Sequence, residues 1–455
     1  MTTELSPPDI AAALESRDFA SVRKTIAQLY PSDLAEVIEE LDEEQRAILF
    51  RLLPKDRAAD TFEHLTSETA EGLLKALGRG QVAAILNEMS PDDRTALLEE
   101  LPAAVTRQLL ALLSPDERKI AVQLLGYPED SIGRLMTPYV LAVGPDWTVQ
   151  QTLDHIRRHG EDSETINVIS VVDDQGQLID DLRIRRLLLA DPDVRISELA
   201  DGNFVALKAT DDQEEAVRVF TEYDRVAFPV IDSAGSLLGI VTVDDVLDVA
   251  EEEATEDIQK IGGMEALDQP YMQASFATLF RKRAIWLILL FLGQLLTLNA
   301  ISHFSDQIAQ AIFLIVFVPL VISSGGNSGS QAATLVVRAM ALDEVNLGDW
   351  WRVLRREIFF GLTLGLILAA IGAGRIWLGS SLGESFGEGW GVVAIIVGSS
   401  LIGVVIWGVL IGSMLPFILR RLGADPATSS TPFVATIVDV TGLIFYLAVA
   451  TFILA

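Results

Sequence analysis

From residue 284 onward the chain offers five long apolar stretches, about Ala284–Ile301, Ile308–Val337, Ile358–Leu378, Trp390–Leu419 and Pro432–Leu454, each long enough for the roughly 18 residues that cross a hydrocarbon core. Nothing else in the sequence constrains its fold so strongly. Orientation follows from the short flanks. Arg281, Lys282 and Arg283 precede the first stretch, Arg352, Arg355 and Arg356 precede the third, and Arg420 and Arg421 follow the fourth. The opposite loops, His303–Gln307 and Gly379–Gly389, contain no Lys or Arg. The positive-inside rule therefore places the N-terminal part in the cytoplasm and the C-terminus outside. Met1 to Ile10 is polar and acidic without an apolar core, so no secretory signal is expected there.

Charge separates the chain into two regions near Pro270. The whole chain has 34 basic and 64 acidic residues, but only ten of the basic and nine of the acidic ones lie beyond Pro270, so residues 1–270 carry about −31 against +1 for the remainder. An acidic soluble part repels phosphates, which argues against nucleic acid and anionic membrane surfaces as partners and favours cations, although an acidic surface also serves solubility. With no Cys, disulfides and thiolate metal sites are excluded.

The soluble part is built from two repeats. Segments beginning at Leu41, Leu65, Met89 and Leu113 start 24 residues apart, each opening with helix-start chemistry. Ser90-Pro91 and Ser114-Pro115 put a capping hydroxyl before a first-turn Pro with acids following, and Pro54 and Pro102 end helices. Residues 1–130 therefore read as a small helical solenoid whose repeats share one core. After Gly133 the composition shifts to β-branched runs. The stretch from Val168 repeats from Phe228, with Asp173 and Gly176 matching Asp232 and Gly235 in a strand, Asp/Gly turn, strand, helix pattern.

Inside the apolar stretches polar residues are costly and mark helix contacts or a path for solute. Ser323 to Gln331 interrupts the second stretch with small and amide residues; the glycines suit close helix packing, while Asn327 and Gln331 suit a hydrated cavity. Asp439 is the single acid inside any stretch, roughly 12 Å from Thr431 along a helix. A carboxylate at that depth needs a cation, a proton or water, and Thr436 and Thr441 flank it with further oxygens.

With Met136-Thr137-Pro138 and the helix from Val149, residues 131–250 resemble a pair of CBS domains. In the second copy Thr242 and Asp245 match positions that contact nucleotide ribose or phosphate in many CBS modules. In the first, Asp180 stands at the Gly239 position and Arg183 and Arg186 replace the Thr and Asp, which speaks against an adenine-nucleotide site there. Arg186 is the remaining candidate phosphate contact, with a structural role weighed above it.

Ser324-GGNSGSQAATL, Met414-LPFILRRLGADPA and Pro432-FVATIVDVTGL, behind a helical N-domain and paired CBS repeats, resemble the MgtE family of Mg2+ channels. The resemblance implies a multidomain chain: a helical solenoid N-domain (1–130), α/β tandem CBS domains (131–200 and 201–250), an acidic connecting plug helix (244–275) and a five-span transmembrane pore domain (276–455). It also implies a non-enzymatic homodimer in the bacterial inner membrane, with a pore on the dimer axis lined by the second and fifth spans. Asp439 matches the acid that binds hydrated Mg2+, with Asn327, Thr436 and a backbone carbonyl at Ala435 beside it. Ser330 departs from the Asn often found there. Asp212, Glu214, Asp224, Asp245 and Asp248 match domain-interface Mg2+ ligands, Glu256 and Asp257 match plug-helix ligands, and Asp425 matches a loop acid facing them. The expected function is Mg2+ import, closed when Mg2+ bridges these acids; ATP is a doubtful further ligand, since the first CBS copy speaks against a nucleotide site. A proton- or Na+-coupled carrier using Asp439, and a non-conducting membrane sensor, are the competing readings.

Overall fold

The computed structural model describes residues 7–101, 103–267, 271, 274–305, 312–342, 344–384 and 389–454. Pro102, the expected start of the second apolar stretch at Ile308, and residues 268–270, 272 and 273 of the connecting segment lie outside them. The chain divides into two compact units, Met1–Glu252 and Glu253–Ala455.

In the first unit, helices follow one another from Pro7–Glu15 to Pro115–Leu124 around a continuous core that runs from Ile10 to Ala121. The 24-residue period is visible in its chemistry. Arg46 donates to the carbonyls of Ile38 and Glu39 at 3.0 and 2.7 Å, and Arg94, two repeats on, donates to those of Leu86 and Met89 at 3.0 and 3.3 Å. Each arginine thereby satisfies carbonyls at the end of a preceding helix. Arg94 is fully buried, and Glu117 neutralises it at 2.5 Å. Ser114 accepts from the Glu117 N–H as expected of a cap. Ser90 does not: its hydroxyl donates to the Asp93 carboxylate instead, because that acid lies within reach and is the stronger acceptor.

Two three-stranded sheets follow. Strands β1 (Ala142–Val143), β2 (Val168–Val172) and β3 (Leu178–Arg183) form one, and β4 (Leu207–Lys208), β5 (Ala227–Ile231) and β6 (Leu237–Thr242) the other. In each, the first pair is parallel and the second antiparallel, and the registers match: Val168 faces Arg183 as Ala227 faces Thr242. The turns use Gly176 and Gly235 at φ +80° and +87°, a conformation that favours glycine. These turns also join the copies, since Leu178 N–H donates to Gly235 and Leu237 N–H to Gly176. The segment Ser131–Thr137 bonds into the second copy, with Thr137 paired to Ile240. A side chain at Gly239 would collide with the Thr137 carbonyl. The first copy has Asp180 at that position, and there it accepts from the backbone of Asp201 and Gly202 at 2.7 and 3.0 Å.

In the second unit the described residues contain five helical segments of membrane-spanning length: Phe276–His303, Phe313–Ala341, Leu347–Ser381, Trp390–Arg421 and Thr431–Leu454. They extend beyond the apolar stretches at several ends. The third begins eleven residues before Ile358, because a helix continues through Trp350, Trp351 and the arginines of an interface. The first is interrupted at Leu295, between Phe276–Gln294 and Leu296–His303. The fourth is the most buried and packs against the second and third. Glycine makes the approach possible: Gly325 meets Gly408 and Gly329 meets Gly412, so that a Cβ at either residue of the fourth span would strike a carbonyl of the second.

Candidate cation path and acidic sensor sites

The second and fifth spans meet where the sequence places its polar residues. The helix Thr431–Leu454 carries Asp439 half-buried, and the second span passes it at Gly326, where even a methyl group would sit 3.6 Å from the Asp439 Oδ1 and 3.7 Å from Ala435 Cβ. Glycine at 326 thus exposes the acid to the neighbouring backbone. Ser323, Asn327, Gln331 and Thr334 follow one another at helical spacing and are all exposed, giving the second span a polar stripe. Lower on the same pair, Ser330 donates to the Thr431 carbonyl at 3.2 Å and Thr334 lies 3.5 Å from the Thr431 hydroxyl.

The flanking threonine hydroxyls each donate within their own helix. Thr436 donates to the Pro432 carbonyl and Thr441 to that of Ile437, and Thr441 also accepts from the Trp407 indole at 2.8 Å. Thr441 therefore fastens the fifth span to the fourth. Ala435 lies inside the same helix, so its carbonyl sits in the helical ladder with one lone pair to spare. The sequence reading overlooked Gln294 of the first span, which lines an apolar recess with Thr436 of the fifth. An amide amid Leu and Phe was the available signal. Arg375, the basic residue toward the opposite end, is held by Glu384 at 3.0 Å.

A second constellation lies at the end of the acidic helix Val243–Ile261. There Lys260 pairs with Glu256 in the preceding turn and with Asp425 at 2.7 Å. Asp425 also caps the turn Pro426–Thr428 by accepting from Ala427 N–H. Burial, followed by the negative charge of Asp425, pushes the Asp257 carboxyl up to about 6. Glu256, Asp257 and Asp425 thus converge, with one lysine as counter-ion.

The third constellation belongs to the first unit. A cavity of about 230 Å3 is lined by Glu63, Asp92, Asp93, Asp245 and Asp248, among others. Asp92 is 6 % exposed, and Asp245 accepts from the Thr242 hydroxyl at 2.6 Å. Burial, then the charge of Asp93, pushes Glu63 up to about 8; burial, then the charge of Asp92, pushes nearby Glu164 up to about 7. Asp92, Asp93, Asp245 and Asp248 are raised as well, chiefly by burial, with neighbouring carboxylates adding to it at Asp92, Asp245 and Asp248. Among the described residues no three acidic or imidazole side chains converge closely enough to hold a metal ion directly. Glu63, Asp92, Asp93 and Glu164 were not singled out in the sequence.

Asp212, Glu214 and Asp224 are exposed and do not line this cavity. Asp212 caps the helix Gln213–Tyr223, and Asp224 ends it in a left-handed conformation at φ 48°. Arg186 lies in a separate cleft of about 500 Å3 with Arg183, Arg185 and Arg225, and pairs with Asp201 at 3.3 Å.

Comparison with known proteins agrees with this division of parts. A model described as the MgtE divalent cation transporter matches residues 318–449, the MgtE intracellular N domain matches 29–130, and CBS domains match 132–193 and 196–252. The chain is 42 % identical over 331 residues to the magnesium transporter MgtE of Thermus thermophilus, covering 73 % of this chain and 72 % of that one. It is 34 % identical over 336 residues to the magnesium transporter MgtE of Bacillus subtilis, covering 73 % and 71 %. Among solved structures, the cytosolic domain of the Mg2+ channel MgtE in complex with ATP matches at TM-score 0.51 and 39 % identity, covering 54 % of this chain and all of that one. The soluble part of a magnesium transporter matches at 0.51 and 28 %, covering 54 % and 96 %. With five membrane-length helices behind these cytosolic-type domains, the chain belongs to the MgtE family of divalent cation transporters.

Proposed function

We propose that this protein is a Mg2+ channel of the bacterial inner membrane that lets Mg2+ into the cell down its electrochemical gradient and closes when cytoplasmic Mg2+ is plentiful. The observation that carries the reading is the exposed stripe Ser323, Asn327, Gln331 and Thr334 on a membrane-length helix beside Asp439. Amides facing lipid are costly, so the stripe needs water or another protein surface. A homodimer that brings two such stripes together around an axis supplies both and places two Asp439 carboxylates on one path. Mg2+ gives up its water reluctantly, so those carboxylates, with Asn327, Thr436 and the Ala435 carbonyl, serve as outer-shell acceptors for a hydrated ion.

Closure rests on the other two constellations. Mg2+ entering the cavity of Glu63, Asp92, Asp93, Asp245 and Asp248 offsets the burial and the mutual repulsion that raise their pKa values. The same ion near Glu256, Asp257 and Asp425 supplements Lys260. Asp212, Glu214 and Asp224 remain candidate ligands for an interface between copies. Binding shifts the gate only as far as Mg2+ prefers the closed form. ATP is assigned a modulatory role, with Arg186 in the arginine-lined cleft as a phosphate contact. The soluble repeats face the cytoplasm and the C-terminus faces outward.

The test is Mg2+ entry into proteoliposomes under a negative inside potential, comparing the native chain with Asp439→Ala. Entry that is lost in a folded variant supports conduction along the fifth span. Entry that requires an imposed proton gradient overturns the channel in favour of a carrier, and no entry in either at low internal Mg2+ overturns it in favour of a sensor.

A further inference from the structure

We infer that His155 and His159 form a binding site for a transition-metal dication of the Ni2+, Co2+ or Zn2+ class on the first CBS copy, outside the acid-lined cavity. Both belong to the helix Val149–His159. Four residues apart, they share one helical face, and their rings lie 4.6 Å apart between centroids at a tilt of 45°. An ion shared by two imidazoles sits about 2.0–2.1 Å from each nitrogen. Rings already in contact reach that arrangement by a turn of the exposed His159 about its side-chain bonds.

The other ring is held in place. Trp147 packs edge-on against His155 with centroids 5.2 Å apart. Trp147 is itself fixed: it packs against the core of the first copy, its N–H donates to the Gly144 carbonyl at 3.2 Å, and its carbonyl accepts from Ile196 at 2.8 Å. The start of the helix is fastened too, since Thr148 accepts from the Gln151 N–H at 3.2 Å and the Gln151 side chain accepts from the Thr148 N–H at 2.9 Å. One imidazole thus waits in position and the second swings to meet it. The pair stands toward the end of the helix, where unpaired carbonyls favour a cation, and neighbouring Arg157 is engaged by Asp154 at 2.7 Å.

The donor type sets the class of ion. Mg2+ takes oxygen ligands and keeps its water, whereas neutral imidazole suits Zn2+, Ni2+ and their neighbours. Two protein donors leave the remaining positions to water, so the ion exchanges freely, unlike one in a closed four-ligand structural site. The soluble unit thereby gains a response to ions of another class than Mg2+.

Calorimetric titration of the full chain in detergent with Ni2+, in excess Mg2+ so that the carboxylates are occupied, should show one saturable imidazole-dependent site per chain. His155→Ala and His159→Ala should each weaken it by at least the roughly tenfold that loss of even an outer-shell partner costs a metal site. His159 is exposed, so its variant serves if His155→Ala fails to fold. His64→Ala, which leaves the pair intact, should bind Ni2+ as the native chain does, and Mn2+, lower in the affinity order, should bind the native chain more weakly than Ni2+. Native Ni2+ binding in His159→Ala, loss in His64→Ala with the pair intact, or no saturable Ni2+ binding in the presence of Mg2+ overturns the site.

Discussion

Under the proposed gating, replacing Asp245 and Asp248 together by Asn should keep the protein conducting at Mg2+ levels that close the native chain, raising the half-inhibiting cytoplasmic Mg2+ by about tenfold or more. Patch recordings across a Mg2+ series check this, and an unchanged curve would remove the cavity from the sensor. The same carboxylates set a pH dependence. An acid whose folded pKa lies above its unfolded value stabilises the fold at low pH, and that contribution is lost as pH rises through the folded value. For Glu63 the window runs from its ordinary 4.5 to about 8, and for Glu164 from 4.5 to about 7. In chelator, the full chain should therefore show its soluble unit unfolding at lower temperature at pH 8.5 than at pH 6, and Mg2+ should restore most of the difference at pH 8.5. A flat profile in chelator would contradict the clustering. Asp439 was legible in the sequence because an acid amid Val and Ile has no ordinary use. Asp92 and Asp93 were hidden because acids at the start of a helix already have one, in the first turn of Pro91–Glu100.

Whole elements were easier to read than their ends. The 24-residue period announced the solenoid, and the Asp/Gly turns announced the paired sheets, since both signals come from local backbone needs. The third span was read short because its first turns are charged, and apolar run length cannot detect a helix that continues into an interface. Ser90 and Ser114 have like sequence surroundings, yet only one caps, since whether the following acid captures the hydroxyl depends on three-dimensional reach. The crossing of the second and fourth spans was legible only as a preference for small residues. Its pairing of Gly325 with Gly408 and Gly329 with Gly412 gives a prediction. Gly412→Ala forces a methyl group against the Gly329 carbonyl, and overpacking of this kind costs roughly 1–3 kcal/mol. The variant should lose folded yield or unfold several degrees earlier in detergent, while Gly374→Ala, in the third span with nothing within 4 Å, should not.

For the molecule as a whole, the separation of about −31 from +1 between the two regions was visible from composition, and the proposed direction of insertion rests on the basic flanks of the spans. What a single chain's sequence leaves open is which surface meets another copy. The absence of cysteine makes that testable without background. Under mild oxidation in membranes, Asn327→Cys should yield a covalent dimer, whereas Phe452→Cys, on a residue 85 % exposed on the fifth span, should not. Monomer from both would break the assignment of the polar stripe to a shared axis. The glycine contacts carry one more consequence. Gly361 and Gly365 of the third span also approach the fourth closely, where an added Cβ would lie 3.2 and 2.8 Å from the Cα atoms of Ile406 and Ile402. Three helices are thereby held together at glycines, where little side chain separates their backbones. Under the proposed function, the expected change in bore is a rocking of these helices as one piece, with the slack taken up by the first span, of which little is buried.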